Sequence, residues 1–462
     1  MNISLKISIL STLCFAVMHM TKAQNPIIQT SYTADPAPMV YNDRVYLYTS
    51  HDEDETVKNF FTMNDWKCYS SADMVNWTDH GTILSYSDFD WARGDAWAGQ
   101  CIYRNGQFYF YVPVNQKDGG NAIGVAVSDN PTGPFKDAIG SPLLSGYGYI
   151  DPTVFIDDDG QAYLFWGNPK LWYVKLNEDM ISYDEETGVV EVPLTKEGFH
   201  VRTQDTDKRP SLYEEGPWLY KRNDLYYLLY PAGGVPEHLA YFIGRSPLGP
   251  WTYGDTIMHV IKEGGAFTNH PGLIDFNGKP YLFYHNGALP GGGGFKRSVC
   301  IEPFSFDANG RIPLITPTKE GVKESVSNLN PYQRTEAETI AWSEGLKTAS
   351  DNTVGVFVTQ IDNGDYIKVR SVDFGKGARK FEASVATSIS GGSIEIRLNN
   401  IDGELLGVCE INNTGGYQNW VVQSCDLKGV KGVHDLYFVF KGNGHNLFNF
   451  DWWKLKAIDS DY

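Results

Sequence analysis

Positive charge is scarce in this 462-residue sequence: 38 Lys and Arg stand against 56 Asp and Glu, a net charge of −18. No basic stripe offsets that balance, which argues against nucleic acid or an anionic membrane as partner. Beyond the first residues no stretch is long and apolar enough for a transmembrane helix. Helical periodicity is missing as well, because no convincing run places apolar residues at a 3.6 period. There are six cysteines and no Cys-x-x-Cys pair, which argues against structural zinc and thioredoxin-type chemistry.

The first residues read as an export signal. Asn2 to Lys6 is short and basic, Ile7 to Val17 is largely apolar, and Thr21-Lys22-Ala23 offers a small-residue cleavage site. Cleavage near Ala23 is expected, with 1–23 as signal peptide and a secreted or periplasmic destination. Lipidation of Cys14 is disfavoured, since Ser11-Thr12-Leu13 is a poor context for it. Removal of the signal leaves Cys68, Cys101, Cys300, Cys409 and Cys425, an odd number, so a monomer keeps at least one free thiol. Cys409 and Cys425 flank an apparent hairpin, and export permits a disulfide between them.

What the chain has in quantity is aromatic strands. Phe, Trp and Tyr make up 14% of it, a share that suits β-structure and could also serve flat sugar rings. A strand-turn-strand phrase recurs five times, beginning at Asp35-Pro36, Trp97-Ala98, Asp151-Pro152, Glu215-Gly216 and His270-Pro271. Its turns are Asn42-Asp43, Asn105-Gly106, Asp159-Gly160, Asn223-Asp224 and Asn277-Gly278, each followed by an aromatic strand such as VYLYTS or KPYLFYH. The copies start roughly 53 to 64 residues apart, which suggests a five-bladed β-propeller over residues 25–322. Thr316 to Pro331 is polar, carries no repeat phrase and reads as a linker. Residues 333–457 change texture, with strands such as SIEIRLN and HDLYFVFKG at β-sandwich spacing. The expected fold is therefore all-β, a propeller followed by a jelly-roll sandwich.

Equivalent positions of a radial repeat converge on one axis, so Asp35, Asp151, Glu215 and His270 are expected to meet. Cleaving a glycosidic bond takes one protonated and one ionised carboxyl group, and such a cluster could supply both. A third carboxylate would raise the acid's pKa by repulsion and help orient it. Of the adjacent Glu214 and Glu215 only one can face the axis, and Glu215 is favoured because Gly216-Pro217 follows it. His270 could contact substrate, bind a metal through water, or simply be packed. Trp97 is either a sugar platform or a core aromatic. Arg297 follows the flexible Gly291 to Gly294 run, and could bind substrate or hold an acid ionised.

The phrases YTADPAPMVYNDRVYLYTSHDED, GDAWAGQCIYRNGQFYFYV, YIDPTVFIDDDGQAYLFWGN, EEGPWLYKRNDLYYLLY and NHPGLIDFNGKPYLFYHNG resemble, in order, the blade motifs of glycoside hydrolase family 43. The resemblance implies an inverting enzyme with Asp35 as general base, Glu215 as general acid and Asp151 tuning the acid. It also implies that His270 lies at the centre, where several members hold calcium, and that Arg297 contacts substrate. FFTMNDWKCYSSADMVNWTDHG and LPGGGGFKRSV look most like the arabinoxylan arabinofuranohydrolase branch. The leading expectation is thus an α-L-arabinofuranosidase acting on a plant cell-wall polysaccharide or oligosaccharide, with no cofactor required for chemistry. β-Xylosidase and arabinanase activities are same-scaffold alternatives. A non-catalytic glycan-binding protein is disfavoured by the intact set of acids.

Residues 333–457 resemble a family 6 carbohydrate-binding module through TEAETIAW, IDNGDYIKVRSVDFG, TGGYQNW and NFDWWKLK. That likeness implies a structural calcium on Glu336, Glu338 and Asp451, and sugar contacts at Tyr417, Trp420 and Asn449. Gln360 departs from the pattern, standing where many sugar-binding members carry an aromatic.

Overall fold

A computed structural model of the protein describes residues 24–202, 209 and 211–458. The expected signal peptide, residues 1–23 including Cys14, lies outside the described residues. Among the described residues no helix is long and apolar enough to cross a membrane.

Five antiparallel sheets follow one another in the order of the repeat phrases. Their innermost strands are Tyr32–Tyr41, Gln100–Arg104, Thr153–Ile156, Trp218–Arg222 and Gly272–Phe276. Each innermost strand packs against the next, and the fifth returns to the first, which closes a five-bladed propeller. Four of the five inner hairpins turn through two residues, and the first of each is an Asn in the left-handed region (φ 48° to 53°). Asn tolerates that conformation better than most side chains, and its twist matches that of the flanking strands. Blade 3 uses the longer turn between Ile156 and Ala162. Aromatic side chains then fill the spaces between blades, with Trp66, Tyr111, Trp166 and Tyr227 fully buried.

The sandwich has one sheet containing Lys347–Asp351, Gly355–Thr359, Asn449–Ala457, Ala378–Thr387 and Gly416–Val430. The facing sheet contains Trp342–Glu344, Tyr366–Asp373, Val433–Lys441, Gly392–Leu398 and Leu405–Ile411. The strands bearing Cys409 and Cys425 belong to opposite sheets, so the expected hairpin is instead an arch across the core. The two sulfurs meet there by a hydrogen bond, which raises the Cys409 thiol and lowers that of Cys425. No disulfide joins them, and all five described cysteines are free.

The domains are not joined by a loose tether. Thr339–Ile340 adds a fifth strand to blade 1 by pairing with Thr78 and Trp77. Asn76 and Arg370 exchange two hydrogen bonds of 3.0 and 2.8 Å across the junction. Within the expected linker, Thr318 is bound to Glu302 of blade 5, while Leu329 already pairs with Val372 of the sandwich.

Candidate active site

Blade geometry explains why the acids face the axis. The ladder between the first two strands of blade 1 lapses between Ala34 and Ala37, at Asp35-Pro36. Pro36 has no N–H to donate, and Asp35 takes a left-handed φ of 51° that turns its carboxylate inward. Asp151 repeats this at φ 56° before Pro152. In blade 4 the corresponding residue is Gly216 (φ 51°), and the acid stands one position earlier. A side chain at 216 would meet His270 Cε1 at 3.0 Å and Pro231 at 3.2 Å, so glycine makes room for the histidine. Asp35, Asp151, Gly216 and His270 line one small axial cavity of about 20 Å³, room for a single water.

His270 joins the cluster. Its Nδ1 lies 3.5 Å from Asp35 Oδ1 and its Nε2 3.3 Å from Glu215 Oε1. Burial would lower the His270 pKa, but Asp35, Glu215 and Asp151 together raise it to about 10, so the ring is an imidazolium. Burial likewise works against an ionised Asp35. Arg297, His270 and the Ser50 hydroxyl overcome it and hold the carboxyl at about 2. Ser50 Oγ donates to Asp35 Oδ2 at 2.8 Å, and the Asp35 N–H donates to His285 Nδ1 at 3.1 Å. His285 stays neutral because burial and the neighbouring Arg297 push its pKa well down.

Arg297 resolves the choice left open by its sequence. Its Nη1 donates to Asp35 Oδ1 at 2.8 Å, while Nε and Nη2 grip Asp52 at 2.9 Å each. At 3% exposure, with its guanidinium over Phe61, it holds an acid ionised. Phe61, Phe60, Phe295 and Phe267 continue from it as an aromatic wall, and Phe60 and Phe267 reach solvent.

Asp151, Glu215 and His270 each bring a ligand-type atom within 4.8 Å of the others. Asp151 Oδ2 is buried without a partner. Burial first, and repulsion by Glu215 second, lift its pKa well above the carboxylate range. Burial also acts on Glu215, but His270 and the amide of Asn168 outweigh it and lower that carboxyl. The expected repulsion therefore exists, yet in this arrangement it acts on Asp151, while the Glu215 carboxyl is lowered. Glu214 points away, as expected, into ion pairs with Arg202 and Arg209. Arg209 also donates to Asn168 Oδ1 at 2.9 Å, which orients the amide toward Glu215.

Trp97 stands just before the axial residues Ala98 to Gln100, partly buried, and its indole N–H has no partner. Asp52, Asn168, His285 and Glu237 were not anticipated. Asp52 and His285 lie at the ends of the aromatic strands of the first and fifth repeats and Asn168 just beyond that of the third, whereas Glu237 carries no such signal.

The chain belongs to glycosyl hydrolases family 43. The family model matches residues 23–312, and the carbohydrate binding module (family 6) model matches 336–457. A Bacillus subtilis protein named arabinoxylan arabinofuranohydrolase is 36% identical, across 93% of this chain and 92% of the relative. A Bacteroides ovatus xylosidase/arabinosidase is 32% identical over 63% of this chain and 96% of its own. The crystal structure of a Bacillus subtilis family 43 arabinoxylan arabinofuranohydrolase in complex with cellotetraose superposes with a TM-score of 0.80. It has 33% identity and covers 95% of this chain and 98% of that one. This family 43 protein is accordingly a glycoside hydrolase whose acids sit on a propeller axis.

The sandwich residues fare differently. Asn449 donates to Tyr417 O and accepts from Thr359 Oγ1, both at 2.8 Å, and the Tyr417 hydroxyl donates to Asn446 O at 2.7 Å. Trp420 stands at a steep angle to Phe357 with its N–H buried and unpartnered. Gln360 instead lines an interdomain cavity of about 1050 Å³ with Trp342 and Lys347, which contains none of the three acids. Among the described residues Glu336, Glu338 and Asp451 do not close to 4.8 Å. Arg334 bridges Glu336 and Asp451 at 2.7 and 3.2 Å. Glu338 Oε2 is buried and orphaned, and burial raises its carboxyl well above the ordinary range. Burial also raises Asp451 to about 6, against the pull of Arg334. An all-oxygen set with an orphaned acid fits a calcium ion, provided Arg334 yields.

Proposed function

We propose that the protein is an exported, inverting α-L-arabinofuranosidase that removes arabinose side groups from arabinoxylan-type polysaccharide. The observation that carries this reading is the bridge from Asp35 through His270 to Glu215. An imidazole ring between the two carboxyls holds them farther apart than direct contact, which leaves space for the water that inversion requires. Asp35, ionised and fixed by Arg297 and Ser50, accepts a proton from that water as it attacks the anomeric carbon. Glu215 delivers a proton to the leaving oxygen, and Asp151 beside it, whose carboxyl is raised by burial and by Glu215, favours a proton on the pair. The aromatic wall from Phe61 to Phe267 offers a flat apolar surface to the sugar.

Likeness to an arabinoxylan arabinofuranohydrolase across both domains supports the choice of arabinose. The basic and apolar segments of residues 1–23 support export, by secretion or to the periplasm. Calcium is proposed for Glu336, Glu338 and Asp451, where it would tie the start of the module to its last strand. His270 is not proposed as a direct ligand, because both ring nitrogens are engaged by acids. A water-mediated contact with an ion there is limited by the roughly 20 Å³ cavity.

The test is the sugar released from arabinoxylan, with its anomeric configuration followed by NMR. Free arabinose with net inversion is expected. Absence of arabinose from every arabinose-bearing substrate would sink the reading, and net retention would remove Asp35 as water activator. The likeness to a xylosidase/arabinosidase favours β-xylosidase as the second reading, and matched nitrophenyl arabinofuranoside and xyloside separate the two.

A further inference from the structure

A fourth acid stands beside the three on the axis. Glu237 immediately precedes the third strand of blade 4, His238–Gly244, as Arg297 immediately precedes the third strand of blade 5, Ser298–Pro303. Each ends a glycine-bearing loop, with Gly233-Gly234 before Glu237 and Gly291 to Gly294 before Arg297. Those loops leave the second strand of their blade at the end that carries the acids. Arg297 spends its donors on Asp35, Asp52 and Thr268. Glu237 occupies the equivalent slot without being used up in that way.

Its backbone N–H donates to Phe267 O at 3.2 Å, and its Oε2 accepts the Asn269 N–H at 2.9 Å. These two bonds tie blade 4 to the segment that leads directly into His270. The other oxygen, Oε1, has no hydrogen-bond partner among the described residues, although the residue is only 3% exposed. Oε1 is also not among the fully sealed unpartnered atoms, so it keeps access to open space. Burial, then repulsion by Glu215, raise the carboxyl well above the ordinary range. Glu237 is therefore a buried carboxyl group with one oxygen satisfied and one left over, held to the segment that carries His270. An unpaired buried polar atom is costly, and a ligand with a matching group recovers that cost. In a glycoside hydrolase the matching group is a sugar hydroxyl, able to donate and to accept.

We propose that Glu237 is a substrate-contacting residue, whose free Oε1 hydrogen-bonds a hydroxyl of the sugar bound beside Glu215 while Oε2 holds Asn269. The proposal rests on the hydrolase reading of the acid cluster but not on which pentose is bound. It makes Glu237 a specificity determinant, since a sugar that turns a C–H toward Oε1 leaves that oxygen unpaired.

The experiment compares the wild type with Glu237→Ala and Glu237→Gln on nitrophenyl pentosides and on analogues lacking one hydroxyl each. Melting temperatures accompany every assay. Wild-type turnover of the parent glycoside establishes the hydrolase reading independently. Glu237→Ala is expected to lower kcat/KM by roughly 10- to 100-fold, the scale of one lost hydrogen bond in a closed site. Glu237→Gln, which keeps a donor and an acceptor, should restore activity to within about 5-fold. One deoxy analogue should cost the wild type at least about 5-fold more than it costs Glu237→Ala, which is coupling between that hydroxyl and this side chain. Equal penalties for every analogue in both proteins overturn the proposal. A crystal structure of Glu215→Gln with an arabinose-bearing oligosaccharide tests the contact without substitution at 237. A sugar oxygen about 2.6–3.2 Å from Oε1 supports it, and none within about 4 Å overturns it.

Discussion

On the propeller axis Asp151 Oδ2 is buried without a partner and Glu237 leaves one carboxyl oxygen free. In the sandwich, Asn449 and the Tyr417 hydroxyl are committed to Thr359, Tyr417 O and Asn446. Both regions contain residues of the kind that bind sugars, and both hold unpartnered polar atoms, but on the axis these belong to the acid cluster itself. Unpaired buried groups are costly, so a fold tends to carry them where something else completes them. By that criterion the axis is built for a ligand, whereas in the module Tyr417 and Asn449 are engaged by internal hydrogen bonds. The buried indole N–H groups of Trp420 and Trp453 and the carboxyl of Glu338 are unpartnered there.

The strongest way to break this contrast is to disable the axis. Glu215→Gln should lower kcat on a nitrophenyl arabinofuranoside by roughly 10²- to 10⁴-fold, the range of a lost general acid. Unchanged turnover would mean that the proton comes from elsewhere. A second test concerns the charge stored on His270. Its pKa is raised to about 10 from 6.5, so the folded protein keeps a proton that the unfolded chain releases. That contribution is complete below pH 6.5 and is lost as pH rises toward 10. Urea titrations from pH 6 to 10 should show stability falling in the wild type and a flatter profile in His270→Asn. Parallel profiles would contradict the imidazolium.

Smaller effects are expected in the sandwich. Calcium at about 100 times its dissociation constant would add about 2.7 kcal/mol, seen as a rise in Tm over an EDTA-treated sample. Glu338→Gln should abolish the rise, and an equal rise in that variant would move the site away from Glu338. Least of all, Tyr417→Ala should change retention on insoluble arabinoxylan less than about 2-fold, because its hydroxyl is already committed internally. A large loss would reopen the module's cleft and narrow the contrast between the domains.

Much of the axis was legible beforehand, and the exceptions have identifiable causes. Asp35, Asp151 and His270 share a following proline, so aligning the repeats aligns the residues. Glu215 lies one residue off that register, because Gly216 takes the left-handed position against His270. Arg297 stands beside its glycine run, but its use depends on Asp52, which lies 245 residues away in the chain. Asn168 ends the third blade motif but its partners Glu215 and Arg209 are distant in sequence, and Glu237 falls in a loop with no repeated signature. The cysteines failed as a hairpin because strand periodicity says which residues share a face but not which sheet a strand joins.

By itself the sequence determined a five-fold aromatic repeat, its tight Asn turns, a second β-rich domain and three acids at or next to equivalent places. Those features are local, set by turn chemistry and by side-chain alternation along strands. Only the tertiary structure decided which way each acid's pKa is pushed, and whether a polar atom is satisfied or left for a ligand. Charge and desolvation act through space, between residues such as Asp35, His270 and Arg297 that are neighbours only once the ring has closed.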